Sequence, residues 1–261
     1  MCFNQFEVIF GTFASNHFFM IRSILYLLLL TVITFGSGAQ TISHLEWTRL
    51  LQKHVDAYGN VNYKGLMEDR DKLDAYLNML SENPAMSFWK VEEQEAFWIN
   101  AYNAFTIKLI LDHYPVKSIK DIEKDGKDAW HIPFIKLGDK LYTLDYIENT
   151  MLRGQFNDSR IHFAINCSAR SCPPLRNKAF TAENINIELR LVSRAFINDS
   201  RFNILSNRHV QISRIFEWYE ADFLKEEPTI NIYLNKNTPH LEIAKDASIN
   251  YLNYNWDLNE K

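Results

Sequence analysis

The apolar residues of this chain keep a helical rhythm over the first half of its folded part and a shorter, mixed one afterwards. Leu45, Leu50, Leu51 and Val55 recur at helical spacing and predict a helix over 44–57. Leu66, Leu73, Leu77 and Leu80 form a second stripe, which predicts one helix over 64–80. The longest helix is expected from about Glu92 to His113. It opens on the acids Glu92, Glu93 and Glu95 and closes on His113 ahead of Pro115, an order that suits the helix dipole.

Beyond Pro115 the pattern shortens. Phe134–Leu137 and Lys140–Thr143 flank Gly138-Asp139 and read as a hairpin with a two-residue turn. A short helix is expected over 144–152. Residues 160–166 alternate, which predicts a strand with Ile161, Phe163 and Ile165 on the core face and His162, Ala164 and Asn166 on the other. A helix is expected over 182–197 with Thr181 as its N-cap. Phe202–Leu205 and His209–Ser213 read as a second hairpin around Ser206-Asn207-Arg208. Helices first, then hairpins mixed with helices, predict an α+β fold: a helix-rich single domain with a small antiparallel sheet.

The residues before Gln40 read differently. Arg22 supplies a positive charge, Ile24–Phe35 is a short, almost unbroken apolar run, and Gly36-Ser37-Gly38-Ala39 ends it with small residues. That is the layout of a secretory signal peptide, with cleavage expected after Ala39. The run is too short to cross a bilayer comfortably, so no stable membrane span is expected after cleavage; the alternative is an uncleaved anchor. No cysteine follows the small residues, which argues against a lipoprotein. The expected organisation is an N-terminal extension and signal peptide over 1–39, the signal itself at 20–39, then a single domain over 40–261; residues 1–19 are either an upstream extension or precede a true start at Met20. The expected location is exported, periplasmic or extracellular.

Composition narrows the function. The 261 residues hold 28 Lys and Arg against 32 Asp and Glu, a net charge of −4, which argues against a nucleic-acid partner. With 8 glycines and 7 prolines, collagen-like, linker-like and low-complexity readings fall away. No P-loop, dinucleotide fingerprint or serine nucleophile elbow is present, so no nucleotide or nicotinamide cofactor is expected. His162, Cys167 and Cys172 lie in one stretch but lack the paired spacing of zinc sites, so no metal is expected either.

Four stretches together resemble the domain of unknown function 547 (DUF547) family. They are Glu95–Ala104, Tyr142–Glu148, the segment Arg160–Leu175 that contains Asn166-Cys-Ser-Ala-Arg-Ser-Cys-Pro-Pro174, and the tail Tyr254–Asn259. Tyr114–Ile119 and Ile215–Tyr219 fit as well, so the resemblance runs in order over nearly the whole chain after the leader. Asn255 stands where the resemblance implies an aspartate. The family name carries no reaction, so the resemblance implies a class and a set of positions only.

The chemistry has to come from the residues. Cys2 falls in the leader, which leaves Cys167 and Cys172. Three readings stay open for the pair: a thiol activated by His162 as general base, a Cys167–Cys172 disulfide, or two buried thiols. Either cysteine is a candidate nucleophile, and His162 is expected within about 4–5 Å of a sulfur or of the Glu148 carboxylate. Glu148 is the candidate that orients the imidazole and raises its pKa; against this, Asp145-Tyr-Ile-Glu148 has the spacing of a capping box. Asn100 and Asn103 share a helix face, and Asn166 sits beside His162. These amides either line the cleft and orient His162 or stitch the helix to a neighbouring loop. The function read from this is an exported thiol-dependent hydrolase or acyltransferase acting on an amide or peptide-like substrate. Its layout would be similar to papain-like and transglutaminase-like enzymes by analogy only. The alternative is a non-catalytic exported module with structural cysteines that binds a peptide or glycan through its aromatic-rich surface. Either way the expected partner is an unidentified small-molecule or peptide-like ligand.

Overall fold

In the computed structural model, which describes residues 42–261, three short helices, α1 (Leu45–His54), α2 (Tyr63–Glu68) and α3 (Arg70–Glu82), precede the long α4 (Val91–His113). The signal-peptide expectation and Cys2 lie outside the described residues. α1 and α3 are amphipathic and bury one stripe each, Trp47, Leu50 and Leu51 on α1 and Leu73, Tyr76, Leu77 and Leu80 on α3. α4 differs: from Glu95 to Ile107 every residue is buried. A helix that is apolar on all sides belongs inside the core, and α4 runs through it.

The single helix expected over 64–80 is two helices, broken at Asp69. Hydrogen bonds from Lys53, Lys72 and His54 converge on the Asp69 carboxylate and hold it well below the usual carboxylate range. A buried carboxylate with three donors keeps its side chain at a helix junction rather than on a helix face.

The second half is built from short pieces. β1 (Glu123–Lys124) and β2 (Lys127–Asp128) pair antiparallel, as do β3 (Ile135–Leu137) and β4 (Lys140–Tyr142). The β3–β4 turn is the expected glycine hairpin, with Gly138 at φ +59°. A π-helical turn (Tyr146–Leu152) runs into α5 (Arg153–Phe156), followed by a 3₁₀ turn (Ser159–Phe163) and α6 (Ile185–Ile197). α6 starts three residues after the predicted helix start, with Asn184 rather than Thr181 in the cap position. The chain closes with β5 (Ile204–Leu205), β6 (His209–Ile212), α7 (Ile215–Trp218), α8 (Glu220–Phe223), α9 (Ile230–Asn237) and β7 (Ser248–Tyr251). β5 and β6 form the second expected hairpin; β7 adds to β6 in parallel, so this sheet is mixed. The fold is α+β, rich in helix with small sheets.

Residues 160–166 are not a strand. Asp158 accepts from the Arg160 amide and starts the 3₁₀ turn, and the Ala164 amide returns to the Ile161 carbonyl at 2.9 Å. The alternation misleads because every residue from Ile161 to Asn166 is buried. Two faces do not exist here for a period of two to separate.

The C-terminal tail ties distant loops together. Leu258 N–H bonds the Lys117 carbonyl, Asn259 N–H bonds the Ser168 carbonyl, and Val61 N–H bonds the Asn259 carbonyl. The Asn259 side chain accepts from the Tyr63 hydroxyl at 2.7 Å and donates to Gly59 and Asn166. Gly59 is needed there: its φ is +82°, and a Cβ would stand 2.6 Å from Pro174. Among the described residues no helix is long and apolar enough to cross a membrane.

Candidate functional site

The tail and the loop between Cys167 and Cys172 close one side of a cleft of about 200 Å³. Six aromatic rings wall it: Tyr102 from α4, Trp130, Trp218 and Tyr219 at the end of α7, and Tyr254 and Trp256 from the tail. Trp218, Tyr254 and Trp256 pack on one another with centroids 4.6–5.8 Å apart, and Trp130 meets Trp256 edge-on at 5.8 Å. Glu148, His162, Cys167 and Cys172, the candidate catalytic residues of the sequence, all line this cleft.

His162 is held on both sides. Its ring stacks on Tyr219 at 3.9 Å and tilts against Phe223 at 5.6 Å. Its Nε2 lies 2.9 Å from Asp222 Oδ2 on α8. Asp222 also accepts from Arg153 Nε at 2.6 Å and Lys225 Nζ at 3.0 Å. The His162 hydrogen bond leads in drawing the Asp222 carboxyl well below its usual range, with Arg153 and Lys225 adding to it. The imidazole moves the other way from expectation. Burial lowers its pKa, and the Asp222 bond and the Glu148 and Asp222 charges only partly oppose this. With Nε2–H donating to Asp222, the neutral ring carries its lone pair on Nδ1, which is buried and has no hydrogen-bond partner.

Glu148 does not cap its own helix. Asp145 instead accepts from Asn149 Nδ2 at 2.7 Å, and Thr143 Oγ1 accepts from the Tyr146 amide. The Glu148 carboxylate takes the Tyr102 hydroxyl at 2.9 Å on one oxygen and the Tyr219 hydroxyl on the other. Burial and the Glu148 charge raise the pKa of both phenols, so they stay protonated and donate. The group that orients His162 is therefore Asp222, not Glu148.

Cys167 and Cys172 are joined by a disulfide. The Cys167 amide donates to Cys172 Sγ at 3.0 Å, and the Tyr254 hydroxyl lies 3.1 Å from Cys172 Sγ and 3.5 Å from Cys167 Sγ. In this form neither sulfur is a thiol, so the cleft presents no cysteine nucleophile.

The three asparagines stitch. Asn100 exchanges two hydrogen bonds with the backbone of Phe180, at 2.7 and 3.1 Å. Asn103 donates to the Ala164 carbonyl at 3.0 Å and accepts from the Asn166 amide at 2.8 Å. Asn166 donates to the Pro173 carbonyl and accepts from the Ser168 amide, each at 2.8 Å, and so fastens the base of the cysteine loop. None of the three lines the cleft. Asn103 and Asn166 fix the segment that carries His162 and Cys167.

Sequence reasoning missed Asp222 and gave no role to Trp218, Tyr219, Tyr254 or Trp256. The four aromatics lie in stretches that carried the family resemblance, which was a usable signal. Asp222 lies in none of those stretches. Among the described residues no three His, Cys, Asp or Glu side chains are grouped to hold a metal ion.

A family model described as "Protein of unknown function, DUF547" matches residues 86–197. The matched stretch includes α4, Glu148, His162, both cysteines and α6, and ends before Asp222 and the Trp218–Tyr254–Trp256 wall. No curated protein and no solved structure matches the chain.

Proposed function

Over residues 86–197 the chain belongs to the DUF547 family, and from that premise we propose that it is a ligand-binding protein whose aromatic cleft takes one residue-sized group of a peptide or glycan. The observation that carries this is the composition of the cleft. Six rings and one carboxylate surround about 200 Å³, while both sulfurs are tied up in the disulfide. Ring faces stack on sugars and on peptide side chains, and a volume this small suits a single group better than a chain. Export belongs to the same reading: the segment 20–39 has the layout of a signal peptide, and an oxidising compartment preserves a disulfide. Three tryptophans of the cleft wall, Trp130, Trp218 and Trp256, supply the readout. Titration with short peptides and oligosaccharides is expected to give saturable fluorescence changes that Trp218→Ala abolishes. No saturable change with any of them overturns the reading. N-terminal sequencing of the secreted fraction is expected to start at Gln40; an intact Met20 start in the membrane fraction overturns export.

A second reading is favoured by the His162–Asp222 pair, whose Nδ1 is without a partner in a cleft that also carries the sulfurs. On reduction the chain would act as a thiol-dependent hydrolase or acyltransferase on an amide or peptide-like substrate. His162 Nδ1 takes the thiol proton as the sulfur adds to the amide carbonyl, the imidazolium so formed passes that proton to the leaving amine, and water or an acceptor amine then cleaves the thioester and returns the thiol. This reading requires amide turnover that appears only after reduction and disappears in Cys167→Ser or Cys172→Ser and in His162→Gln. Absence of thiol-dependent turnover in the reduced protein removes it.

A further inference from the structure

The charge inside the cleft does not balance. Among the described residues that line it none is a lysine or arginine, while Glu148 is among them. The hydrogen-bond partners of Glu148 are two tyrosine hydroxyls, one on each oxygen. A carboxylate that accepts on both oxygens from neutral phenols has the acceptor-only role of an ionised group, and neither donor cancels its charge. A second acceptor without a partner, His162 Nδ1, belongs to a ring that lines the same space. Burial keeps that ring neutral, so it adds no positive charge. The remaining walls are ring faces, which carry the negative lobe of the aromatic quadrupole and attract cations. Two rings of the cleft already hold cations of the protein itself: Lys120 Nζ lies 5.2 Å over Trp256 and the Arg153 guanidinium 5.1 Å over Tyr219. The Arg153 guanidinium is already paired with Asp222.

We infer that the cleft recognises an organic ammonium group, with Glu148 as counter-ion and Trp130, Trp218, Tyr254 and Trp256 as the aromatic cage. A primary ammonium fits the acceptors: its three N–H donors can meet the Glu148 carboxylate and His162 Nδ1 while its charge faces the rings. The ligand class is a soluble amine, such as an amino sugar or the amino group of a peptide. This deepens the binding reading above and rests on it.

Titration of the whole protein with glucosamine and with glucose at pH 7 tests the inference, because the two sugars differ by an ammonium in place of a hydroxyl. Tryptophan fluorescence is expected to show at least tenfold tighter binding of glucosamine. Glu148→Gln is expected to remove that preference, and Trp218→Leu, at a position 43% exposed and so tolerant of substitution, to weaken glucosamine binding at least threefold. Equal binding of both sugars overturns the ammonium inference and leaves the binding reading standing. If neither sugar binds but uncharged oligosaccharides or N-acetylated peptides do, the same holds. If nothing binds, both fail. Vesicles of phosphatidylethanolamine, which present the same ammonium on a bilayer, are expected to bind less tightly than glucosamine; tighter binding overturns the assignment to a soluble amine.

Discussion

His162 and Asp222, sixty residues apart in sequence, share a 2.9 Å hydrogen bond that fixes the tautomer of the one imidazole in the cleft. The bond joins the 3₁₀ turn to α8, and Arg153 and Lys225 hold the carboxylate from its other sides. Asp222→Asn is expected to lower the pKa of His162 further, because it deletes both the charge and the charged acceptor that oppose burial. Imidazole resonances followed by NMR should show His162 staying neutral to lower pH than in the parent protein. Urea unfolding should show a loss of about 2–3 kcal/mol, as Arg153 and His162 lose a charged partner. An unchanged titration would show that the pair does not interact electrostatically.

Glu95 gives a pH dependence of definite sign. It is 6% exposed, its Oε1 has no hydrogen-bond partner, and burial raises its carboxyl to about 7, with Asp158 adding to the effect. The folded protein therefore holds a proton that the unfolded chain releases near the ordinary glutamate value. This contribution is present in full below about pH 4 and lost as the pH rises through about 7. Glu95→Gln should leave stability unchanged near pH 4 and raise it at pH 8 by up to about 3 kcal/mol. Equal effects at both pH values in urea unfolding would contradict the buried, protonated carboxyl.

Reducing the Cys167–Cys172 bond frees a loop whose ends are five residues apart. Loop closure this short is worth about 2 kcal/mol in the chain-entropy account, so the reduced protein should unfold at a lower urea midpoint while remaining folded in water. Thiol titration of the denatured, unreduced chain should find no reactive group beyond Cys2. Two further thiols would return Cys167 and Cys172 to the nucleophile reading. In that case iodoacetamide reactivity well below the free-thiol range of about pH 8.5 would mark an activated one.

Asn103→Ala should cost about 3 kcal/mol in equilibrium unfolding, because it strands the Ala164 carbonyl and the Asn166 amide in the core. It should also loosen the segment bearing His162 and Cys167, seen as faster amide exchange over 164–168 than in the parent protein, with exchange in α4 unchanged. A loss below about 0.5 kcal/mol would mean that water replaces the amide.

Much of the fold is legible in the sequence because the signals behind it are local. Helical spacing of leucines marks α1 and α3, acidic and basic ends mark α4, and Gly138 marks the β3–β4 turn. The gathering of chemistry-bearing residues is legible in part: Glu148, His162, Cys167 and Cys172 line one cleft. Partner choice is not legible, because it depends on groups far away in the chain. Alternation over 160–166 reads as a strand until α4 supplies Asn103 to take the backbone groups that a neighbouring strand would take. A capping box is reasonable for Asp145–Glu148 until Tyr102 and Tyr219 arrive from other elements and draw the carboxylate away. Nothing near His162 in sequence points to Asp222, since the short α8 is placed by groups distant in the chain, Phe223 packing against Phe163, Phe216 and Tyr233. Sequence by itself determined most of α1, α3, α4 and α6, the β3–β4 and β5–β6 hairpins, and Glu148, His162, Cys167 and Cys172 as residues able to do chemistry. Tertiary structure alone decided which of them touch, because a hydrogen bond or ion pair between buried groups depends on the distance the whole core sets, and no local pattern records it.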